Sequence, residues 1–292
     1  MRGERWTEFW VKWVLAAASS LTVVIVTLIF VFLFREAMPF IKEPGLGALV
    51  GSKWIPVSFQ KEQFGILPLV TGSLLVTLLA GGIAVPVGIC GAVYIAEVAR
   101  PAEREVLKPF IELLAAIPSV VLGFFGMAIL APVLKSTFGL QTGQMALTGA
   151  LVLGLMASPT IISISEDAIR SVPRSYREAS TALGATDMQT LWRVTVPSAM
   201  PGMLAATMLG MGRVLGETMA VLMLTGNAAL VTFNPFESVR TMTATIAAEM
   251  GEVTQGSAHY QSLFWVGIVL LLATFVLNMT AQRVLGRTRN RR

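Results

Sequence analysis

The sequence predicts an all-α integral membrane fold with six transmembrane helices, and three observations predict it. The first is composition: 54% of the 292 residues are hydrophobic and 13% are charged, whereas soluble domains carry roughly 25% charged residues. The second is segmentation. Apolar stretches run at about 13–34, 66–96, 110–134, 144–165, 198–227 and 262–285, and each reaches the ~20 residues that cross a hydrocarbon core. The third is the placement of lysine and arginine. Fifteen fall in the N-terminus, 97–109, 166–197 and the C-terminal end, six in the other connections, and one inside a span. Such a bias puts the richer set, and with it both termini, in the cytoplasm. The expected organisation is a single transmembrane domain over 1–292.

Each segment has its own logic. The first apolar run, Val14 to Phe34, is followed by Arg35-Glu36 rather than a small-residue cleavage site, so it reads as a retained span. The second carries Pro68, Gly81-Gly82 and Pro86, which predict a tilt or kink. In the third, Pro118 reads as a kink; the alternative is a break that leaves the amides near Ser119 and Val120 as a helix start. Glu112 sits near the inner end of that span, at the interface. Ser158 and Thr160 flank Pro159 in the fourth; they suit a pore lining, though such hydroxyls more often bond their own helix or a neighbour. Outside the membrane, 234–251 reads as a helix with Asn234 as cap, Pro235 in the first position and Gly251 at its end. Val239, Met242, Ile246 and Met250 share one of its faces. That helix suits packing on the spans or docking an external partner.

Several function classes drop out. The net charge of +5 is concentrated in the C-terminal "RTRNRR", a tail that fits a cytoplasmic membrane face better than nucleic acid. A single cysteine, Cys90, rules out an internal disulfide and a four-thiolate metal site. The single histidine, His259, lies in a polar stretch and reads as a solvated loop residue. No lysine follows a glycine, so the chain lacks the P-loop of an ATPase. No cofactor or metal is expected in the chain itself.

The loop "SVPRSYREASTALGATDMQTLWRVTVP", residues 171–197, is longer than a connection needs. It parses as two short helices. Pro173 suits a first helical position, and Tyr176, Ala179 and Leu183 form a small apolar stripe. Gly184 stands where a helix ends in a left-handed residue. Thr186 and Gln189 are spaced as a capping box, and Pro197 is placed to stop the second helix before the fifth span. The "EASTALGATDMQTLWRVTVP" portion resembles the EAA loop of bacterial ABC-importer permeases, with Glu178, Ala179, Gly184 and Pro197 matching in identity and spacing. That resemblance implies a cytoplasmic coupling hairpin held in the cleft of an ATPase subunit. Tyr176, Glu178, Ala179, Gly184, Ala185 and Pro197 would make the contact or the turn.

"FGILPLVTGSLLVT", "YIAEVARP", "IELLAAIPSVVLGFFG" and "GRVLGETMAV" together resemble phosphate-importer permeases of the PstC/PstA family. The first outer loop, "KWIPVSFQKEQFG", leans toward the PstC-like member. The resemblance implies a helical bundle of the ABC-importer permease type in the bacterial inner membrane. It also implies a PstA-like second permease subunit, two PstB-like ATPases carrying ATP and magnesium, and a PstS-like phosphate-binding protein outside. A permease for another oxyanion or solute is the alternative reading, and an ion-coupled secondary carrier or a recruiting anchor are further ones.

Arg213 and Glu217 carry the substrate argument. A charge at mid-bilayer costs at least about 2.5–3.5 kcal/mol and usually faces a cavity or the bundle interior. The guanidinium fork suits phosphate oxygens. Glu217, four residues on, reads as one turn away on the same face, able to neutralise Arg213 when no anion is present. The competing reading is a structural ion pair. Ser119 and Thr218 complete the expected pathway or gate set.

Overall fold

The computed structural model describes residues 2–58 and 60–289, with side chains for 9–58, 60–280 and 283. Part of the basic tail, from Asn290 to Arg292, lies outside the described residues, as do the side chains of Arg287 and Arg289. Among the described residues six helices are long and apolar enough to cross a membrane: Phe9–Ile41, Leu67–Val98, Ser119–Phe138, Ala146–Arg170, Asp187–Gly216 and Ala258–Thr280.

The first helix, α1 (Arg2–Ala37), is exposed along its membrane length. It is held at its C-terminal end, where Trp265 Nε1 donates to the Ala37 carbonyl at 2.8 Å and Phe32 meets Phe264 edge-on. A two-residue antiparallel pair follows, β1 (Trp54–Ile55) and β2 (Gln63–Phe64), with Trp54 opposite Phe64. It closes an apolar cluster of Phe40, Leu49, Trp54, Phe64, Leu69, Met242, Leu263 and Val266.

The second span is α2 (Leu67–Val93), which runs through Pro86 and ends in a wide π turn, Tyr94–Val98. The carbonyls freed there are bonded by Arg104, whose guanidinium donates to Ile95 O at 2.6 and 3.0 Å and to Ala96 O at 2.9 Å. Arg104 belongs to α3 (Pro101–Ala116), an amphipathic helix none of whose residues is buried.

Here the expected third span is corrected. It does not start at 110, and Pro118 does more than kink it. Ile117 and Pro118 are both extended, and a new helix α4 (Ser119–Phe125) begins. Proline disfavours helical backbone at the residue before it and has no N–H to continue the ladder. The span continues through a π turn (Gly126–Leu130) into α5 (Ala131–Phe138). Glu112 therefore sits on α3, exposed, outside the span.

The fourth span, α6 (Ala146–Arg170), is the most buried. It packs on α2 and on the fifth span, α9 (Val196–Gly216). Without a hydrophobic drive between helices in lipid, close approach of small residues holds them. Ile161 of α6 is the knob: a Cβ at Gly88 of α2 or at Gly210 of α9 would stand 2.5 Å from it. The sixth span is α12 (Ala258–Arg289).

The helix expected over 234–251 is also shorter than expected. Residues 234–241 are not helical, and only α11 (Met242–Glu249) forms, with Thr241 as its cap. The reason lies at the start of α6. The carbonyls of Pro235 and Glu237 accept from the Leu147 and Ala146 amides at 2.8 and 3.0 Å, satisfying donors that a helix start leaves orphaned. Asn234 caps a turn instead, accepting from the Phe236 amide. Hydrogen bonds from Thr232 and Asn234 hold the Glu237 carboxyl below its ordinary range.

A tight packing point joins α2 to the segment before α11. A Cβ at Gly72 would overlap the Arg240 carbonyl oxygen, a backbone atom that cannot swing aside. Gly72→Ala is expected to destabilise the protein by about 1–3 kcal/mol through overpacking. Gly82→Ala meets nothing within 4 Å and should change stability by less than about 0.5 kcal/mol. Thermal melts of the two variants in detergent check this; equal melting temperatures would contradict the packing.

Candidate functional site

The hairpin of 171–197 forms, with two corrections. Its first helix is α7 (Arg174–Ala182), and Pro173 is the cap rather than the first helical residue. Gly184 adopts φ +82°, the left-handed turn. The capping box is present: Gln189 N donates to Thr186 Oγ1 at 3.3 Å and Thr186 N to Gln189 Oε1 at 3.1 Å. Ser180 and Thr190 hydroxyls meet across the hairpin at 2.9 Å.

Pro197 does not stop the second helix. The short helix α8 (Asp187–Thr190) passes through a π turn (Leu191–Thr195) straight into α9. The widened turn accommodates the proline, which supplies no N–H to the ladder. The hairpin's second arm and the fifth span are one helix, Asp187–Gly216.

The tip of the hairpin is uncovered. Leu183 is 89% exposed and Tyr176 52% exposed; Glu178, Ala179 and Gly184 are exposed and Ala185 is half-buried. Its root is held. Arg177 Nη1 donates to Glu97 Oε2 at 2.9 Å, joining α7 to the end of the second span. Beside it, Glu166, only 2% exposed, lies 2.7 Å from Arg170 and 3.6 Å from Lys108 and so ties α3 to α6. Sequence reasoning missed Glu166, which stands one residue past the expected end of the fourth span.

The Arg213–Glu217 geometry differs from expectation. The helix ends at Gly216, Glu217 is extended with ψ 134°, and a new short helix α10 (Met219–Leu224) starts after Thr218. The pair is therefore not on one helical face, and among the described residues no ion pair joins it. Arg213 is exposed in the last turn of α9, where a cation complements the carbonyl end of the helix dipole. Its Nη1 donates to Thr160 Oγ1 of α6 at 3.2 Å. Glu217 instead accepts from the Ala220 amide at 3.3 Å, capping α10. The extended fifth span, 198–227, is thus two helices separated by a break, with a positive group before it and a negative one after.

The break has neighbours. Arg213, Val214 and Glu217 enclose a cavity of about 10 Å³ with Leu153, Met156 and Ala157 of α6, a space of about one water. The Glu217 carbonyl, left without a helical partner, accepts from Thr243 Oγ1 of α11 at 2.8 Å. Ser119 opens α4, which packs against α10. Among the described residues Ser119 makes no hydrogen bond to Arg213, Glu217 or Thr218. Ser158 bonds its own helix, at Gly154 O, so of the two hydroxyls flanking Pro159 only Thr160 bonds Arg213. Helical spacing placed Thr160 in the membrane; nothing local said that it faces Arg213.

His259 is not solvated loop. It lies in the first turn of α12 with Nε2 2.8 Å from Glu249.

Comparison with known proteins places this architecture. Residues 84–291 match the family described as "Binding-protein-dependent transport system inner membrane component". A "Probable ABC transporter permease protein YqgH" from Bacillus subtilis (strain 168) is 43% identical over 228 residues, covering 78% of this chain and 74% of that protein. A "Phosphate transport system permease protein PstC" from Mesorhizobium japonicum is 32% identical over 290 residues, covering 93% and 88%. The fold matches a bacterial alginate ABC transporter solved in complex with an alginate pentasaccharide-bound periplasmic protein. There the TM-score is 0.65 at 20% identity, over 94% of each chain. With the hairpin and six spans in place, the chain belongs to the family of binding-protein-dependent inner membrane transport components and is an ABC importer permease.

Proposed function

We propose that the chain is the PstC-like permease subunit of an ATP-driven phosphate importer in the bacterial inner membrane, with both termini cytoplasmic. A PstA-like permease would complete the pathway. Two PstB-like ATPases would supply ATP and magnesium, and a PstS-like binding protein would deliver phosphate from outside. The observation that carries the reading is mechanical: the exposed hairpin and Arg213 stand near opposite ends of a single 30-residue helix, about 45 Å long. A force applied by an ATPase at Tyr176, Glu178, Ala179, Gly184 and Ala185 is transmitted through Pro197 to the break at Glu217.

Chemistry supports phosphate. Arg213 is not neutralised by Glu217, so most of its five N–H donors remain for oxygen acceptors. The small cavity beside it is far below the size of an oxyanion, so passage requires the break to open. Glu217 and Thr218 form the hinge of that opening, and Ser119 lies on the helix packed against it. Of the alternatives, a structural Arg213–Glu217 ion pair loses its support, because the two groups point to different partners.

The test is uptake by the complex in liposomes with binding protein outside. ATP-dependent accumulation of labelled phosphate is expected. Gradient-driven uptake by this chain alone would instead make it a secondary carrier.

A further inference from the structure

The short outer helix α11 has anchors at both ends that packing alone does not require. At its start, Met242 N donates to Ser73 Oγ of α2 at 2.9 Å. One residue later, the buried Thr243 hydroxyl, 7% exposed, donates to the Glu217 carbonyl at 2.8 Å. Thr241 Oγ1 stands 3.2 Å from Thr243 Oγ1 and accepts from Ala244 N. The Thr241 proton is therefore free to point at Thr243, whose own proton goes to Glu217. This orders the hydroxyls into one directed chain ending on the break.

At the other end of α11, a single carboxylate gathers three outer elements. Glu249 accepts from Trp54 Nε1 of β1 at 3.1 Å and from Arg240 Nη1 at 2.6 Å, and it meets His259 Nε2 of α12 at 2.8 Å. Glu249, Trp54 and His259 also line an open outer cavity of about 640 Å³, with Glu62 and Glu252 on its wall. The eight-residue helix spans about 12 Å, from this outer surface to the break.

We propose that α11 is a strut that couples the outer surface to the Glu217 break, with Thr243 as the positioning residue at its inner end. The proposal rests on the importer reading. A displacement of the Glu249 cluster by an extracytoplasmic partner moves α11 as a body, and the Thr243 hydrogen bond carries that movement to the backbone between Arg213 and α10. A strut that only stabilises the fold would alter every activity equally; a coupling strut alters only the response to the partner.

The experiment uses the full complex in liposomes and measures ATP hydrolysis with and without phosphate-loaded binding protein. Thr243→Val removes the hydroxyl and keeps the shape; Thr243→Ser keeps the hydroxyl. The valine variant is expected to lose roughly 2- to 10-fold of the stimulated rate, the range set by one buried hydrogen bond. Its rate without binding protein should stay within about 2-fold of the unmodified complex, and the serine variant should behave as unmodified. If the valine complex fails to assemble, Glu249→Gln tests the far end and should lower stimulation in the same selective way. Full stimulation of Thr243→Val, an equal fall in both rates, or an unmodified complex that binding protein does not stimulate would each overturn the strut. Stimulation without phosphate accumulation would sink the importer reading and leave the strut standing.

Discussion

Arg213→Gln is expected to lower phosphate uptake by at least 10- to 100-fold while the complex still assembles. Hydrogen bonds to charged groups contribute about 1.5–3 kcal/mol each, and glutamine offers neither the charge nor the paired donors of the fork. Assembly should survive because Arg213 is exposed and its hydrogen bond to Thr160 is of a kind that an amide replaces. Arg213→Lys keeps a point charge and loses the planar fork, so it should fall between the two. Initial uptake rates, read beside size-exclusion profiles, decide this. Wild-type uptake by the glutamine variant would remove Arg213 from the pathway.

Gly184→Val should uncouple the ATPase and leave membrane insertion intact. At φ +82° a side chain is strained whatever the space around it, and a Cβ at Gly184 meets nothing within 4 Å. The penalty is therefore one of backbone, about 1–2 kcal/mol for an ordinary residue and greater for a β-branched one. The chain escapes it by re-aiming the turn between α7 and α8, which moves Glu178 and Leu183 out of register with a cleft. Co-purification of the ATPase is expected to fall about 10-fold, the equivalent of 1.4 kcal/mol. Asparagine, which tolerates the left-handed region, should retain most of it. Undiminished co-purification of Gly184→Val would mean that the hairpin is not the lever.

The hairpin was legible because its signals are local. Thr186 and Gln189 are three residues apart, and Gly184 needs only its own backbone to end a helix. The spans were legible by length where the apolar run and the helix coincide, as in 66–96 against Leu67–Val98. They were misjudged where an apolar run hides a backbone break. Pro118 sits between residues that are all membrane-compatible, so hydropathy does not register that α3 and α4 are separate helices. At Glu217 there is no proline or β-branched run to announce the end of α9; the break is held by Ala220 and Thr243, neither of which periodicity could place. The outer helix was overestimated for a related reason. Asn234-Pro235 is a plausible helix start, but the carbonyls that follow are taken by the amides of Ala146 and Leu147, some ninety residues away in sequence.

These corrections sharpen the function. A fifth span running unbroken to 227 would have carried Arg213 and Glu217 as a paired, self-neutralised unit. The observed break leaves them without an ion pair among the described residues, and it joins Glu217 to α6 through the cavity wall and to α11 through Thr243. The helix from Asp187 to Gly216 links the hairpin's second arm directly to that break.

The most direct measurement of the central claim is competition in the reconstituted complex: ATP-driven uptake of labelled phosphate in the presence of excess sulfate. Phosphate uptake should be saturable, unchanged by sulfate and removed by Arg213→Gln. Uptake of sulfate in place of phosphate, or phosphate uptake indifferent to Arg213, would contradict that claim.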